Sequence, residues 1–528
     1  MPHHQDLPFE PATPDSAFTL NRRSALGLLG AAALAVPMAR PAWAQAARKR
    51  GGVLRIAANT NPSSLDPATG GQGNDHTFLW TLFDTLVEWD YDTLKPRPGL
   101  AQWSFPDPKT MVLDIRPDVV FHDGTPCDAQ AVKFNIDRNR TDPRSNVKAD
   151  LVNVTAVQVT GALQLKLTLA RPDVALPAAL SDRAGMMVSP KAVKELGAEH
   201  DRKPVGAGPW KFVKWADGQN VTVTRHDRYW KRNEPYVDGI EFIIIPDNGT
   251  ALRSLVAGQN QFVSGLAARY KPIIDRAKNL RFITGPTLFC HQMYFNFGRG
   301  PLTNLKIRQA INFALDREAF VAAGLGGLGE PASMQLPSSH WAYDATLAGL
   351  YKHDPERARK LMAESGQPNV EISIGSANDQ DSLRRNEIVM EQLSKAGIRT
   401  RFTSASVAEA AGSFFGVEKK FDVLLSAWTG RPDPSMTYGL QYLKDGYYNA
   451  GRAEVSPELT ALLQESRAVE STDARRQVFA KIQRIIMEGA YVAPLAFQAE
   501  VSAAALSVHD YKPNLLGKPK YNGIWLDT

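Results

Sequence analysis

Residues 121–126 read Phe-His-Asp-Gly-Thr-Pro, and this short stretch joins two segments of different hydrophobic periodicity. Before it, residues 110–116 alternate between apolar and polar, which is typical of a half-buried strand. After it, Asp128 is of a residue type that caps helices, and apolar residues follow at Ala131, Val132, Phe134 and Ile136. The Asp-Gly pair is turn chemistry, so Asp123 is expected to be a turn residue rather than an acid catalyst. The stretch therefore predicts a strand, a turn and a helix in succession.

Strands and helices are mixed in the same way along the rest of the chain. Residues 239–246 form a nearly continuous apolar run, as in a strand covered on both faces. Farther on, Asn304 can cap a helix that continues through Ala322, and Asp354-Pro355 and Ser456-Pro457 each open another. Further strands are predicted at 370–375, 400–403 and 421–428. Alternating strands and helices predict an α/β protein with mainly parallel sheets.

The composition excludes several classes of protein. Of the 528 residues, 43% are hydrophobic and 22% are charged, which is ordinary for a soluble globular protein. The net charge of +6 is small for this length and spread out, and the dense basic run at 48–50 is interpreted as a solvated terminus, so no nucleic-acid partner is expected. Two cysteines, Cys127 and Cys290, cannot build a disulfide framework. Both are expected to be buried thiols, with a single bridge as the alternative.

The N-terminus, residues 1–44, has the pattern of an export signal. Arg22 and Arg23 precede a short, weakly apolar stretch at 25–36, and Ala42-Trp43-Ala44 forms a small-x-small cleavage box before Gln45. Twelve helical residues would span about 18 Å, which is too short for a hydrocarbon core of about 30 Å. Paired arginines before a weak apolar region resemble a twin-arginine (Tat) signal, with a Sec signal or a membrane anchor as alternatives. The mature protein is therefore expected in the periplasm, with the Tat machinery as its export partner.

Catalytic and cofactor motifs are absent from the sequence. It has no HExxH, GxSxG or Walker A pattern and no CxxC pair for zinc. Residues 324–329, Gly-Leu-Gly-Gly-Leu-Gly, match GxGxxG, but a predicted helix precedes them, whereas the dinucleotide fingerprint needs a preceding strand. This segment is therefore interpreted as a flexible loop. An exported α/β protein without a catalytic constellation favours a binding function, with no enzyme activity, cofactor or metal.

Several segments in order carry a resemblance to a known family. They are Ser64-Leu65-Asp66-Pro67, residues 82–86, residues 121–126, residues 205–210, residues 307–317, Trp428-Thr429-Gly430 and residues 493–495. Together they resemble the extracytoplasmic solute-binding proteins of ABC importers, of the peptide/nickel type (family 5), which includes oligopeptide-, dipeptide- and glutathione-binding periplasmic proteins. The motifs themselves are mostly structural, so the ligand must be sought elsewhere.

The resemblance implies a two-lobed periplasmic-binding-protein type II fold, of the α/β class, with an extra inserted domain and a hinged ligand cleft. Lobe I would be discontinuous, comprising 45–85, 206–285 and 492–528. The inserted domain II would be 86–205, and lobe II (domain III) would be 286–491. Closure of the lobes about a hinge would then trap the solute.

In peptide-binding relatives two backbone stretches grip the ligand, and the resemblance maps them onto this chain. One is the loop after the first Asp-Pro, with Asn74, Asp75 and His76. The other follows a strand that ends in Trp, and comprises Trp428, Thr429, Gly430 and Arg431. His291 is a further candidate, because alternate residues of its predicted strand would face the cleft. His291 and His76 without other ligands give poor support for a metal site.

The position of Arg431 departs from the peptide binders, which use an aspartate there to receive the peptide's α-ammonium. Arginine can instead hold a carboxylate through two parallel hydrogen bonds. Two interpretations compete. Arg431 binds a ligand carboxylate, which suits an acidic or blocked peptide such as glutathione, or Arg431 pairs with Asp433 while Asp433 takes over the amine. A solvated Arg431 is the third possibility.

The sequence thus predicts a monomeric, exported binding protein that captures a peptide-like or other small polar solute. Its partners would be that solute and an ABC permease, whose transmembrane subunits work with a cytoplasmic ATPase. The alternatives are an exported hydrolase of the amidase or peptidase type and a binding protein that serves a chemoreceptor.

Overall fold

The computed structural model describes residues 48–451 and 454–527. The predicted export signal, with Arg22 and Arg23 and the cleavage box before Gln45, lies outside the described residues. From Lys49 onward the chain forms one compact unit. Within the described part, none of the helices is long and apolar enough to cross a membrane.

The first large sheet has seven strands, and it is assembled from three distant parts of the chain. In spatial order the strands are Leu280–Gly285, Glu500–Ala505, Phe262–Val263, Val53–Ala58, Gly239–Ile244, Asn220–Arg225 and Trp210–Ala216. The central strand Val53–Ala58 is apolar except for Arg55 and lies parallel to both of its neighbours. Separate clusters of buried apolar side chains form the hydrophobic core around this sheet.

The second large sheet has six strands. In spatial order they are Gly329–Pro331, Val492–Gln498, Cys290–Phe295, Val423–Trp428, Glu371–Ala377 and Arg399–Ala405. All six residues of Cys290–Phe295 are buried, because this strand is paired on both edges and packed on both faces.

A four-stranded antiparallel sheet contains the predicted strand at 110–116, and the predicted turn at 121–126 follows that strand. Its strands are Ala101–Asp107, Thr110–Ile115, Gln164–Leu169 and Val154–Gly161. In the turn, Asp123 accepts from the Thr125 backbone N–H at 3.0 Å, and Gly124 has φ +83°. Asp128 accepts from Ala131 N at 3.0 Å and caps the helix Ala129–Thr141. The predicted succession of strand, turn and helix is confirmed. Two small antiparallel sheets of two strands each pair Val87–Trp89 with Pro96–Pro98 and Val508–His509 with Trp525–Leu526.

The helices surround these sheets. The α-helices are His76–Leu82, Ala129–Thr141, Leu176–Ala179, Pro190–Leu196, Asn248–Val256, Lys271–Arg276, Leu305–Ala314, Arg317–Gly324, Pro355–Glu364, Gln380–Lys395, Val407–Phe415, Pro434–Tyr442, Pro457–Ala468 and Thr472–Glu488. Short 3-10 helices span Gly73–Asp75, Lys148–Leu151, Arg183–Gly185, Gly197–Asp201, Ala268–Tyr270, Gly300–Thr303 and Ala345–Leu347. Asn304, Asp354 and Ser456 cap their helices as predicted.

Two expectations about this architecture are wrong. The sheets are not mainly parallel, since the parallel pairs are confined to the strands beside Val53–Ala58 and beside Glu371–Ala377. The other neighbours are antiparallel, because they are hairpins or strands that return from a distant part of the chain. The helix predicted from Asn304 through Ala322 is in fact two, and it breaks where Asp316 caps the second by accepting from Ala319 N at 2.9 Å.

The loop predicted at 324–329 follows the helix Arg317–Gly324 and leads into the short strand Gly329–Pro331. Gly326 and Gly327 adopt φ of +58° and +77°. No strand precedes the glycines, so this loop lacks the setting of a dinucleotide site.

The chain passes between the two large sheets twice at neighbouring places. It crosses first between Gly285 and Cys290, and again between Gln498 and Glu500. The strand Val492–Gln498 therefore belongs to the six-stranded sheet, although the third segment of the predicted lobe I, 492–528, includes it. The domain ranges themselves stay a prediction.

Candidate functional site

A cavity of about 180 Å³ lies where the chain crosses between the large sheets. Its lining comes from both crossings, from the loop before the first helix and from a segment near the C-terminus. The polar residues of the lining include Asn74, Thr429, Gln498, Glu500 and Lys518. The cavity thus collects residues from widely separated parts of the chain, as expected for a solute site between two lobes.

The loop after the first Asp-Pro contributes Asn74 to the lining, and Asn74 is exposed. Its neighbour Asp75 is buried and accepts from Ser63 N at 2.8 Å, Ser63 Oγ at 2.6 Å and Gln72 N at 3.0 Å. Because these bonds are internal to the loop, Asp75 fixes its shape and leaves Asn74 to face the cavity.

His76 lies beneath the loop rather than on the cavity lining. The imidazole is buried, and its Nε2 lies 2.5 Å from Asp182 Oδ1. Burial and the positive charge of Lys518 lower the pKa of His76 to about 3. The ring also lies 3.0 Å from the Gly73 carbonyl oxygen through Nδ1, so it connects the loop to Asp182.

Asp182 and Lys518 form a charged centre that the sequence analysis did not identify. Lys518 Nζ lies 3.4 Å from Asp182 Oδ2 and 3.3 Å from His76 Nε2. Burial alone would raise the pKa of Asp182, but the Lys518 and His76 interactions hold it well below its usual range. Residues 182 and 518 are far apart in sequence and carry no motif, so only the fold reveals this pair.

Trp428 and Thr429 lie at the end of a strand of the six-stranded sheet and have different environments. Trp428 is buried, donates from Nε1 to Thr437 Oγ1 at 3.2 Å and packs edge-to-face on Tyr448 with centroids 4.8 Å apart. Thr429 is exposed and lines the cavity. The tryptophan therefore anchors the strand end, and the threonine is the residue that it presents.

Gly430 makes the turn that follows Thr429 possible. Its φ of +72° lies in the left-handed region, and a Cβ at this position would come within 2.4 Å of Leu288 Cβ. Leu288 belongs to the first crossing between the sheets. The glycine thus lets the second predicted ligand-binding stretch approach the crossing closely.

Arg431 and Asp433 do not pair with each other, which corrects one of the two interpretations of this segment. Arg431 donates to Asp150 Oδ1 at 2.5 Å, and their side chains are 21% and 15% exposed. Asp433 is buried, accepts from Arg475 Nη2 at both carboxylate oxygens (2.9 and 2.8 Å), and caps the helix Pro434–Tyr442. Each of the two charges thus has a different partner, Asp150 for Arg431 and Arg475 for Asp433.

The third possibility, a solvated Arg431, also fails. Most of the guanidinium is buried, and Asp150 raises its pKa despite burial. One donor, Nε, is buried and has no hydrogen-bond partner among the described residues. Arg431 does not line the cavity of about 180 Å³, so its contact with a ligand stays a prediction.

His291 lies within the six-stranded sheet, packed against the rings of Phe289 and Phe320. Its Nε2 lies 2.8 Å from Gln498 Oε1, and burial lowers its pKa to about 3. His291 is placed behind Gln498, which lines the cavity. Across residues 48–451 and 454–527, no group of three or more His, Cys, Asp or Glu side chains is placed to hold a metal ion.

The charges on the cavity lining come from one acid and one base. They are Glu500, at the second crossing, and Lys518. Glu500 was missed by sequence reasoning because it stands in an apolar strand without any motif. Its Oε1 accepts from Ser502 Oγ at 2.9 Å and from the Tyr511 hydroxyl.

Comparison with known proteins agrees with this architecture. The model of the bacterial extracellular solute-binding proteins, family 5 Middle, matches residues 95–449. The glutathione-binding protein GsiB of Salmonella paratyphi A is 27% identical over 465 residues, which cover 85% of this chain and 89% of that protein.

Solved structures of similar fold include two periplasmic binding proteins with ligands. DppA from Helicobacter pylori, in complex with the peptide STSA, has a TM-score of 0.81 at 21% identity, covering 91% of this chain and 99% of that one. AgaA from A. tumefaciens, in complex with agropinic acid, has a TM-score of 0.79 at 22% identity, covering 90% and 99%. The two-lobed α/β fold expected from the sequence is confirmed.

Proposed function

Because this chain belongs to the bacterial extracellular solute-binding proteins of family 5, we propose that it is the periplasmic binding component of an ABC importer. It captures a small peptide-like or other polar solute and delivers it to the membrane permease, whose cytoplasmic ATPase drives import. The cavity between the two large sheets carries this proposal. Its lining combines both crossings of the chain with Asn74 and Thr429, one from each predicted ligand-binding stretch.

Contacts between the predicted domains support a closed arrangement around this cavity. Arg431 bonds to Asp150 at 2.5 Å, and Arg467 bonds to Asp173 through two hydrogen bonds of 2.9 and 2.6 Å. Met436, from the helix that follows Arg431, packs into the core of the four-stranded sheet. These contacts join 286–491 to 86–205 and are of the kind that hinge opening would break.

The size of the cavity favours a small solute. About 180 Å³ is below the range of roughly 300–1,000 Å³ that is typical of ligand pockets. A dipeptide, a tripeptide such as glutathione, or a compound of similar size is therefore a better candidate than a long peptide. The names of the relatives, which include glutathione-, peptide- and agropinic-acid-binding proteins, point to the same range of compounds.

The proposal includes export to the periplasm through the Tat pathway, directed by Arg22 and Arg23, and function as a monomer. Binding energy is used for closure, and the permease recognises the closed form. The proposal contains no covalent step. The alternatives are a hydrolase and a binding protein that serves a chemoreceptor. Turnover of a peptide or amide substrate by the purified protein would favour the hydrolase.

A thermal-shift screen of the mature protein tests the proposal. The panel contains di- and tripeptides, glutathione, acidic opines, sugars and nickel–histidine. A ligand at 100 times its Kd stabilises the folded state by about 2.7 kcal/mol. Denaturing the purified protein and identifying any released solute by mass spectrometry covers the case in which a tight ligand has co-purified.

Variants that fill the cavity locate the binding site. Asn74→Trp and Thr429→Trp each place a large ring on the lining from an exposed position, so both should lose the shift given by the bound solute. Val417→Trp is the matched control, because Val417 is fully exposed and does not line the cavity. Undiminished binding by both cavity variants would show that the solute binds elsewhere.

A further inference from the structure

Glu500 has an unused acceptor at the cavity. The residue lines the cavity and is 8% exposed. Ser502 and Tyr511 donate to Oε1, whereas Oε2 is buried and has no hydrogen-bond partner among the described residues. A buried carboxylate oxygen without a donor is costly, so this position calls for a donor that the protein itself does not supply.

Three other acids described above already have cationic partners. Asp433 is paired with Arg475, Asp150 with Arg431 and Asp182 with Lys518. In particular, Asp433 cannot take over a ligand amine without releasing Arg475 into a buried site. Glu500 is therefore the acid on the lining that still has room for a cation.

We propose that Glu500 receives a primary ammonium group of the solute, and that the solute is a small compound with a free amino group, such as an amino acid or a short peptide. This proposal rests on the proposed function. Lys518, the base on the same lining, is already paired with Asp182 and is not part of this assignment. Burial raises the pKa of Glu500, and a bound ammonium would stabilise the carboxylate in its charged form.

Paired probes test the ammonium contact in the unaltered protein. Binding of Ala-Ala and of glutathione is measured by titration calorimetry, beside their N-acetylated forms, which lack the ammonium. Acetylation should weaken binding on the order of 10- to 100-fold, the range for a hydrogen bond to a charged group. Equal affinity of the free and acetylated forms would overturn the proposal while leaving the binding function intact.

The variant Glu500→Gln tests the residue itself. It keeps the acceptor for Ser502 and Tyr511 and removes the charge, so Ala-Ala and glutathione should bind on the order of 10- to 100-fold more weakly. The preference over the acetylated forms should disappear. Glu241→Gln, in the same sheet but away from the cavity, is the control and should bind as the unaltered protein does. Unchanged affinity in Glu500→Gln would overturn the proposal.

The proposed function can fail separately. If no free-amino probe binds and denaturation releases no solute, both proposals fail. If only compounds without an amino group bind or are released, the binding function stands and the assignment of Glu500 is refuted.

Discussion

Replacing Arg431 with Gln should weaken solute binding by loosening the closed form, even though Arg431 is bonded to protein. The guanidinium bonds to Asp150 across two of the predicted domains. If opening separates these domains, the bond exists only in the closed form. Its loss therefore changes the equilibrium between open and closed protein, and the observed affinity falls with the closed fraction.

The size of the effect follows from the burial of the pair. With side chains 21% and 15% exposed, it differs from the exposed pairs that contribute 0–1 kcal/mol. A hydrogen bond between charged groups in such a setting contributes about 1.5–3 kcal/mol. At about 1.4 kcal/mol for each factor of ten, closure should weaken on the order of 10- to 100-fold.

A double-mutant cycle with Asp150→Asn distinguishes this role from direct binding of a ligand carboxylate. If the pair stabilises closure, each single variant should lose affinity by a similar factor, and the double variant should be no worse than either one. Calorimetry gives the affinities, and small-angle scattering gives the closed fraction. If Asp150→Asn binds an anionic solute as well as the unaltered protein while Arg431→Gln does not bind it, Arg431 is a ligand anchor and the reasoning is refuted.

Three further predictions concern stability and thiol chemistry. Asp66→Asn should destabilise the protein by about 3–5 kcal/mol at neutral pH, because Asp66 is fully buried and bonded to Arg138 and His200. Burial alone would raise the pKa of Asp66, but these partners lower it. The loss of stability, measured by chemical denaturation, should therefore shrink as the pH falls below the ordinary pKa of 3.8. Gly430→Ala should lower the free energy of unfolding by more than the ~1–2 kcal/mol of left-handed backbone strain, because its Cβ would also clash with Leu288. Gly258 has the same φ of +72° and open space around it, so Gly258→Ala is the control that measures the strain alone. Equal losses in the two variants would contradict the clash. Cys127 and Cys290 should react with a thiol reagent only after denaturation, because both are free thiols in the core. Burial also raises the pKa of Cys127 to about 12, which disfavours the reactive thiolate. Rapid labelling of the native protein would contradict this expectation and show that the core opens.

The sequence predicted the local elements of this fold because their determinants are local. Asp123, Gly124 and Asp128 form their turn and cap with immediate neighbours, so the residue types suffice. Strand direction was predicted wrongly because it depends on which distant segments pair. Nothing near residue 53 indicates that this strand lies between Gly239–Ile244 and Phe262–Val263.

The candidate site was predicted only as far as backbone position. The resemblance identified two stretches that meet at the cavity, and Asn74 and Thr429 are the members that line it. It could not identify side-chain partners. Asp75, His76 and Asp433 read as polar and available in the sequence, but each is held by a neighbour in the fold.

The pairing of Arg431 and Asp433 with other residues bears on how this chain selects its solute. In peptide-binding relatives an aspartate at this place takes the ligand's ammonium, whereas here both charges are engaged in contacts that hold the protein together. A charge that already has a buried partner contributes little to selecting a ligand, because binding the ligand would leave the partner buried without a counter-charge. Of the two charges on the cavity lining, Lys518 is paired with the buried Asp182, so selection by charge falls to Glu500. Glu500 lies at the second crossing between the large sheets, so if the lobes move about this connection, as the proposed function expects, binding and closure would be coupled at one residue.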